Sequence, residues 1–381
     1  CDCASVDVAS KRIISPMTLP KIDIDRYLYL SNIPTFIQHK DNMTKIVRTD
    51  CEIECPLIDA DLRRCGADLV LLPDGVSEDE LIGEVRDTDL LLMCYTPITA
   101  RVIRKARKLK GIVKYGVGID AIDIQAAIER RIPVVNVPSY AEETVAEGAF
   151  CLMIALAKNL ILMNRAMHAK GWLQPTSIWL GADIAGKTLG IVGLGRIGRS
   201  MARMAGAGFR ARVMAFSPDL TTGEANALGV EKHDDLKTML SMCDFVSIHC
   251  VLNADTKHLI GEAELMAMKP TAFLINVSRG AIVDEAALLR ALTENRIAGA
   301  GLDVYSQEPL ARNGHPMSAM FDHPNVILLP HLTFYTHEAM ARLEQETLAR
   351  CREILKGEPV LVTSDDPRLR AQNHGVVFSP Q

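Results

Sequence analysis

Between Thr188 and Ser217 the sequence predicts a strand, a glycine-rich turn, a helix and a second strand. The turn reads Gly-Leu-Gly-Arg-Ile-Gly, in which Gly193, Gly195 and Gly198 have G-x-G-x-x-G spacing. The first glycine permits a tight turn, the second lets a pyrophosphate approach the backbone, and the third lets the helix pack closely on the strand. The N–H groups that begin the helix also favour an anion. The sequence therefore predicts a Rossmann-type dinucleotide site, with a glycine turn that binds no ligand as the alternative.

The residue after the second strand departs from this pattern. A carboxylate normally stands there, about twenty residues past the glycines, and binds the hydroxyls of the adenosine ribose. Here the place is taken by Ser217, which neither makes that bidentate contact nor repels a 2′-phosphate. Asp219 could substitute for the carboxylate, and no Arg or Lys follows in the loop to bind a 2′-phosphate. NAD and NADP therefore both stay open as the cofactor.

Length, charge and cysteine usage limit the class of protein. With 381 residues, 48% of them hydrophobic, the chain is long enough for two domains with separate cores. The net charge of −5 gives no reason to expect a nucleic acid or an anionic membrane as partner, and no apolar run reaches the roughly 18 residues of a membrane helix. The ten cysteines include no C-x-x-C pair, so we expect reduced thiols in a cytoplasmic protein. No metal site is expected; metal binding by Cys51 and Cys55, or by Cys1 and Cys3, is a minor alternative.

The chain is predicted to form two domains with an extension at each end. Residues 1–42 contain three prolines, show no sustained periodicity and lack the pattern of a signal peptide, so they are interpreted as an extension. Beyond them, short strands and helices alternate, which predicts a flavodoxin-like parallel α/β domain formed by residues 43–147 and 332–356. Residues 148–331 are predicted to form a Rossmann domain inserted into it. Residues 357–381 are predicted to form a loosely held polar tail.

Two further stretches of the first half are informative. Residues 115–120 read Tyr-Gly-Val-Gly-Ile-Asp after a predicted strand. Their glycines expose backbone N–H groups at the carboxyl edge of the sheet, where ligands bind in such folds, although a bare turn is the alternative. A long helix is predicted over residues 142–167, and its apolar residues on most faces suggest burial between domains or subunits.

Three charged residues follow strands of the second domain. Arg279 comes after a strand that ends in Asn-Val, Glu308 lies in Asp-Val-Tyr-Ser-Gln-Glu-Pro, and His331 follows Ile-Leu-Leu-Pro. Because the carboxyl ends of parallel strands converge on one crevice, we expect these side chains to meet beside a bound nicotinamide. Singly, each could be an ordinary surface or loop residue; together with the glycine turn they indicate an active site.

Reduction of a 2-keto acid requires these three groups. A guanidinium can hold the substrate carboxylate and polarise its carbonyl. An acid with a pKa near 7 can donate a proton to the oxygen as a hydride reaches the carbon. A carboxylate can orient that acid and keep it protonated. We therefore expect Arg279 to bind the substrate, His331 to act as acid and base, and Glu308 to orient His331.

From about residue 43 to 357 the chain resembles the D-isomer-specific 2-hydroxyacid dehydrogenase family. The motifs that carry this resemblance are Gly-Leu-Gly-Arg-Ile-Gly, His-Cys-Val-Leu-Asn-Ala-Asp-Thr, Asn-Val-Ser-Arg-Gly, Gly-Leu-Asp-Val-Tyr-Ser-Gln-Glu-Pro, Pro-His and Val-Ala-Glu. The resemblance implies the three roles given above, a homodimer formed through the nucleotide domain, and backbone N–H groups of Val117 and Gly118 that hold the substrate carboxylate. It also implies that Asp303 lies near the carboxamide of the cofactor. The residues implied to line the cofactor are Gly193, Gly195, Arg196, Ile197, Gly198, Ser217, Cys250, Val251, Thr256, Val277, Asp303 and His331.

The sequence departs from the family pattern at two more places. Val251 stands where proline is usual, and Leu-Thr-Phe-Tyr follows His331 in place of small residues. The Phe-Tyr pair is similar to the C-terminal-binding-protein branch, so the resemblance is to that branch or to the phosphoglycerate-dehydrogenase-like branch. Phe334 is expected to form a wall of the substrate pocket, or equally to serve interdomain packing.

Two functions follow from these observations. The first is NAD(P)-dependent interconversion of a 2-keto acid and a D-2-hydroxy acid, which the complete set of Arg279, Glu308 and His331 favours. The second is a non-catalytic or weakly catalytic NAD(H)-sensing module of the C-terminal-binding-protein type. Oxidation of formate or phosphite on the same fold has less support, because neither substrate needs an apolar wall such as Phe334. The sequence does not specify which 2-hydroxy acid is the substrate.

Overall fold

The computed structural model describes residues 43–380. Within them the chain forms two compact units. The first unit comprises the described residues up to Val113, together with Asp120–Val135 and the residues from Thr347 on. The second unit comprises Lys114–Ile119 and Asn136–Glu346. Residues 1–42, interpreted above as an extension, lie outside the described part of the chain.

The first unit contains a five-stranded sheet in the order β2-β1-β3-β4-β5. Its strands are β1 (Lys45–Arg48), β2 (Asp68–Leu71), β3 (Leu90–Met93), β4 (Gly111–Lys114) and β5 (Val134–Asn136). Its helices include α1 (Pro56–Arg64), α2 (Glu78–Val85), α3 (Ala100–Lys105) and α4 (Ile124–Glu129). Strand β1 pairs in parallel with β2 and β3, and every residue of β3 is buried, as in a strand covered on both faces. This strand order is the flavodoxin-like one and confirms the predicted fold.

The second unit contains a seven-stranded sheet in the order β12-β11-β10-β9-β6-β7-β8, in which all neighbouring strands are parallel. Its strands are β6 (Thr188–Val192), β7 (Arg212–Phe216), β8 (Glu231–Lys232), β9 (Phe245–Ile248), β10 (Phe273–Asn276), β11 (Gly299–Leu302) and β12 (Val326–Leu328). The chain reverses its direction of strand addition between β6 and β9, which is where ligands bind in doubly wound sheets. The predicted Rossmann domain is thus confirmed.

Helices cover both faces of this sheet. The helices of the unit are α5 (Glu142–Ala157), α6 (Leu160–Lys170), α7 (Arg196–Arg203), α8 (Thr222–Ala227), α9 (Leu236–Met242), α10 (Glu262–Ala267), α11 (Glu285–Thr293) and the first half of α12 (His337–Lys356). Along β9, Phe245 belongs to the apolar cluster that contains α5, and Val246 to the cluster that contains α9 to α11. Because successive strand residues point to opposite faces, these two clusters are the two halves of the core.

The single helix predicted over residues 142–167 is two helices. Helix α5 ends at Ala157, Asn159 has a left-handed backbone with a φ of 49°, and α6 begins at Leu160. The buried residues of α5 share one apolar cluster with residues of β6, β9 and β10. The unit Asn136–Glu346 contains the whole helix, which is therefore not divided at residue 147. Among residues 43–380 no single helix has the length and hydropathy to cross a membrane; α5 and α6, bent by 58°, meet those criteria only as a pair.

The C-terminal tail is folded onto the first unit, whereas the sequence predicted a loosely held segment. Strands β13 (Val360–Val362) and β14 (Val376–Phe378) pair in parallel, with helix α13 (Pro367–Arg370) between them. The side chain of Gln372 accepts from the backbone N–H of Val134 over 2.7 Å and donates to its carbonyl over 2.8 Å. The side-chain amide of Gln372 therefore pairs with the backbone N–H and carbonyl of Val134 in β5, as the backbone of a neighbouring strand would. The polar composition of the tail did not reveal these bonds.

Candidate active site

The glycine turn, residues 193–198, joins the end of β6 to the start of α7. Gly193 has a left-handed φ of 94°, and a Cβ on it would lie 2.5 Å from the backbone nitrogen of Cys250. A Cβ on Gly198 would lie 2.3 Å from the carbonyl oxygen of Gly193. Around Gly195, a Cβ would meet no atom of the described chain within 4 Å. Packing therefore requires two of the three glycines, and the third borders open space.

The start of α7 offers backbone donors at this open space. Gly195 is the N-cap of the helix, and no side chain of the described residues caps it, whereas Thr221 caps α8. Uncapped N–H groups of this kind fit the pyrophosphate of a dinucleotide. Arg196 comes next in the chain, and its Nη1 donates to the Ser139 hydroxyl over 2.8 Å. Ile197 is half-buried behind it.

Ser217 is the first residue after β7, at the place predicted for contact with the ribose. Its carbonyl accepts from the backbone N–H of Leu220 over 3.1 Å, and the turn between them exposes Pro218 and Asp219. A hydroxyl and an exposed carboxylate are thus the polar side chains here. Both NAD and NADP are compatible with them.

The loop after β9 contains three further residues predicted to line the cofactor, Cys250, Val251 and Thr256. Val251 is exposed, and the Thr256 hydroxyl donates to its carbonyl over 2.7 Å. Asn253 shapes this loop, because its side-chain oxygen accepts from the backbone N–H groups of Asp255 and Thr256. The sequence reasoning missed Asn253, whose signal was the tendency of asparagine to form such turns.

Glu308 and His331 lie side by side after β11 and β12. His331 Nδ1 is 2.8 Å from Glu308 Oε2, and Glu308 Oε1 accepts from the backbone N–H of Tyr305 over 2.9 Å. Burial acts to raise the pKa of the Glu308 carboxyl, but the hydrogen bond and charge of His331 and the Tyr305 N–H hold that pKa below its ordinary value. Glu308 is therefore a carboxylate at neutral pH. Because a carboxylate only accepts hydrogen bonds, the shared proton lies on His331 Nδ1, and Nε2 is the ring nitrogen that can exchange a proton in a reaction.

Arg279 follows β10 and is close enough to this pair for its charge to lower the pKa of Glu308. Its Nη1 donates to the Ser278 carbonyl over 2.8 Å. Asn276 fixes the backbone here, since its side-chain nitrogen donates to the Arg279 carbonyl over 3.0 Å. The three predicted catalytic residues therefore all lie in the unit that also holds the glycine turn, and the charge of Arg279 acts on the Glu308–His331 pair.

A second histidine near the site has a different character. His249 begins the loop after β9, and its Nε2 is 2.8 Å from the Ser247 hydroxyl. Burial lowers the pKa of His249 to about 4. This ring is therefore neutral at physiological pH and unsuited to act as a general acid, which leaves His331 as the candidate.

The predicted substrate loop with Val117 and Gly118 also belongs to the second unit. Asn136 Nδ2 donates to the Val117 carbonyl over 2.6 Å, and the Val137 N–H donates to the Gly116 carbonyl over 3.0 Å. Val117 is exposed at the tip of the loop. The loop is thus fixed through its carbonyl groups, and the contact of its N–H groups with a substrate stays a prediction.

Phe334 is buried and packs edge-on against two tyrosines. Its ring centroid is 6.1 Å from that of Tyr140 and 5.9 Å from that of Tyr335. Sequence reasoning missed Tyr140, which lies almost 200 residues away in the chain. The structure records the packing of Phe334 within the second unit, and its contact with a substrate stays a prediction.

Asp303 and Val277, the remaining residues predicted to line the cofactor, are buried at the ends of β11 and β10. The Asp303 carboxylate accepts from the backbone N–H groups of Leu332 and Thr333 and from the Thr333 hydroxyl. The structure therefore shows Asp303 bound to the segment after His331, while its predicted contact with a carboxamide stays a prediction. No group of three or more His, Cys, Asp or Glu side chains within residues 43–380 is placed to hold a metal ion.

Comparison with known proteins identifies the family. Residues 150–333 match the family model described as D-isomer specific 2-hydroxyacid dehydrogenase, NAD binding domain. A glyoxylate reductase of Korarchaeum cryptofilum is 39% identical over 299 residues, which cover 77% of this chain and 88% of that protein. The chain belongs to the D-isomer specific 2-hydroxyacid dehydrogenase family. The predicted class of enzyme, an NAD(P)-dependent oxidoreductase, is thereby confirmed.

Solved structures agree with this family membership. One is the D-lactate dehydrogenase of Aquifex aeolicus complexed with NAD and lactic acid, with a TM-score of 0.72 and 27% sequence identity. The match covers 82% of the present chain and 96% of the Aquifex chain. Another is an acyclic imino acid reductase in complex with NADPH and D-Arg, with a TM-score of 0.73 and 29% sequence identity. That match covers 83% of the present chain and 99% of the reductase chain. These neighbours carry different nicotinamide cofactors, which supports NAD or NADP as predicted.

Proposed function

We propose that this dehydrogenase reversibly reduces a 2-keto acid to a D-2-hydroxy acid, with NADH or NADPH as the hydride donor. The observation that carries the proposal is the Glu308–His331 hydrogen bond, in the unit that also holds Arg279 and the glycine turn. One relative is named a glyoxylate reductase and one structural neighbour a D-lactate dehydrogenase. Both names support this class of substrate.

Each of the three side chains has a part in the reaction. When bound, the nicotinamide supplies or accepts the hydride. Arg279 holds the substrate carboxylate through its N–H donors and polarises the carbonyl. His331, with Nδ1 fixed by Glu308, donates a proton from Nε2 to the carbonyl oxygen, and takes it back in the reverse direction. Glu308 orients the ring and offsets its positive charge.

The surroundings of these residues complete the proposal. The backbone at Gly195 and the first turn of α7 would hold the pyrophosphate, because that is where uncapped donors face open space. The N–H groups of Val117 and Gly118 would add to the binding of the substrate carboxylate. Phe334 would form an apolar wall that selects among substrate side chains.

We also infer that two copies of the chain associate through the region around α6. No residue of α6 is buried, and Trp172, Ile178 and Leu180, which follow it, are 79%, 66% and 75% exposed. Large apolar side chains exposed along one continuous segment indicate a protein interface. A cytoplasmic homodimer with no nucleic-acid or membrane partner is the assembly proposed.

A spectrophotometric screen tests the function. Oxidation of NADH and of NADPH would be followed with a panel of 2-keto acids that includes glyoxylate and pyruvate. We expect at least one acid to be reduced. Where the product is chiral, as lactate from pyruvate is and glycolate from glyoxylate is not, we expect the D enantiomer, identified by chiral chromatography. A protein that binds the nucleotides yet reduces none of the acids would instead support the NAD(H)-sensing module, and the proposed reaction would be abandoned.

Two substitutions test the assigned roles. His331→Gln removes the proton donor, and we expect kcat to fall by about 10²–10⁴-fold while cofactor affinity is kept. Arg279→Gln removes the guanidinium, and we expect a large rise in the KM for the keto acid together with a loss of kcat. Cofactor binding, measured by fluorescence titration, is the control for both. Turnover near that of the wild type in either variant would contradict the role given to that residue.

A further inference from the structure

The segment after β12 brings His331 to the site in an uncommon backbone conformation. His331 has a φ of 59°, in the left-handed region that residues other than glycine rarely adopt. Conformations of this kind persist only where the surrounding contacts fix them. The contacts of the next two residues, Leu332 and Thr333, therefore influence where the imidazole lies.

The carboxylate of Asp303 supplies those contacts. Asp303 follows β11 and is fully buried. Its Oδ1 accepts from the Leu332 N–H over 2.9 Å, and its Oδ2 accepts from the Thr333 N–H over 3.0 Å and from the Thr333 hydroxyl over 2.6 Å. The shortest of these three bonds comes from a side chain, and hydrogen bonds to a carboxylate are stronger than those between neutral groups. Two of the bonds come from backbone N–H groups, which every amino acid except proline supplies, whereas the third requires a hydroxyl at position 333.

Helix α5 contacts the other side of Thr333. A Cβ on Gly148 would lie 2.7 Å from Thr333 Cβ and 2.8 Å from Thr333 Cγ2. The carbon atoms of Thr333 therefore rest on the bare backbone of α5, while its hydroxyl reaches Asp303. Serine at position 333 would keep the bond to Asp303 and lose the methyl contact; valine would keep the methyl contact and lose the bond.

We propose that Thr333 is a positioning residue for His331. The bond between the Thr333 hydroxyl and Asp303 holds the left-handed turn, so that His331 Nδ1 meets Glu308 and Nε2 is presented to the reacting carbonyl. The effect on rate rests on the proposed function, whereas the effect on the Glu308–His331 hydrogen bond does not. Thr333 acts through the backbone of His331 and not by touching the substrate.

Kinetics of the full-length protein give the first test. In Thr333→Val we expect kcat for keto acid reduction to fall by about 10- to 100-fold, because a displaced general acid loses rate of that order. The KM for the nucleotide should change little. Thr333→Ser should keep most of the wild-type rate, since it restores the donor to Asp303.

The second test does not depend on activity. A histidine Nδ1–H bonded to a carboxylate gives a downfield proton resonance, which would be assigned to His331 by its loss in His331→Gln. We expect the resonance in the wild type and in Thr333→Ser, and its loss or broadening in Thr333→Val. If the wild type reduces no 2-keto acid but the two variants differ in this way, the proposed function fails and the positioning role stands.

Thr347→Val is the matched control. Thr347 is a fully buried threonine of α12 in the first unit, and its hydroxyl has no hydrogen-bond partner among the described residues. This variant should leave both the rate and the His331 resonance unchanged. The proposal is overturned if Thr333→Val keeps the rate and the resonance of the wild type, or if Thr333→Ser is impaired as strongly as Thr333→Val.

Discussion

At the scale of single residues, the chemistry of the site depends on which groups share a proton. His331 is suited to exchange a proton at Nε2 because Glu308 accepts from Nδ1, and Glu308 is ionised because His331 and the Tyr305 N–H stabilise its charge against the effect of burial. His249 shows the contrast. Its hydrogen-bond partner among the described residues is the Ser247 hydroxyl, and burial lowers the pKa of His249 to about 4. The two histidines therefore have different environments, and only that of His331 fits the proposed proton exchange.

The pH dependence of stability tests the state of Glu308. Its folded-state pKa lies below the ordinary value of 4.5, so its ionised form stabilises the fold above that pH and the contribution is lost as the pH falls toward the folded pKa. We expect the wild type to exceed Glu308→Gln in free energy of unfolding at pH 6, and the difference to shrink below pH 4.5. Urea unfolding of both proteins at a series of pH values from 6 to below 4.5 measures this difference in the free energy of unfolding. A difference that grows on acidification would mean that the carboxyl is protonated in the folded protein.

At the scale of elements, the glycine turn separates packing from ligand binding. The Cβ positions of Gly193 and Gly198 are filled by protein atoms, and that of Gly195 is open. The turn therefore contains glycines kept for two different physical reasons. Sequence spacing alone assigned these reasons by analogy, and the distances in the structure agree with them.

Two alanine substitutions in the turn should affect different properties, one the stability of the fold and the other the affinity for the nucleotide. Gly198→Ala places a methyl against the Gly193 carbonyl, and we expect a loss of about 1–3 kcal/mol in the free energy of unfolding. Gly195→Ala has room and an extended backbone, with a φ of −73°, so the apoprotein should unfold as the wild type does. Its methyl occupies the space of the pyrophosphate, and we expect about 10- to 100-fold weaker nucleotide binding. Differential scanning fluorimetry with and without NADH distinguishes the two, and equal Tm values of the two apoproteins would contradict the assignment.

The tail offers a prediction about the edge of a sheet. Gln372 satisfies both backbone groups of the buried residue Val134. Gln372→Ala leaves them without these partners, and we expect a loss of about 1–3 kcal/mol. Thermal unfolding measures the loss, with the surface variant Gln125→Ala on α4 as control. An unchanged Tm would show that water replaces the glutamine at no cost.

At the scale of the whole molecule, the exposed apolar residues around α6 predict a dimer. Light scattering coupled to size exclusion should give twice the mass of the chain. Replacing Ile178 and Leu180 together by glutamate should give a monomer, because a charge cannot be buried unpaired in an apolar interface at low cost. Circular dichroism controls for folding. A wild-type protein that elutes as a monomer at micromolar concentration would refute the assembly.

The sequence by itself determined the fold class, because strands, helices and the glycine spacing of a dinucleotide site are local patterns with local physical causes. It also placed Arg279, Glu308 and His331 after three strands, since the ends of parallel strands converge whatever their side chains are. It did not reveal the break at Asn159 or the folding of the tail through Gln372, because both depend on partners far along the chain.

Only the tertiary structure decided which side chains hold the predicted catalytic ones in place. The contacts of Asp303 with Thr333, of Thr333 with Gly148, and of Phe334 with Tyr140 join residues from 30 to nearly 200 positions apart. Periodicity and motif spacing carry no information about such pairs, since they arise when separate elements pack. The sequence thus determined which chemical groups this protein possesses, and packing decided their orientation and the state of their protons.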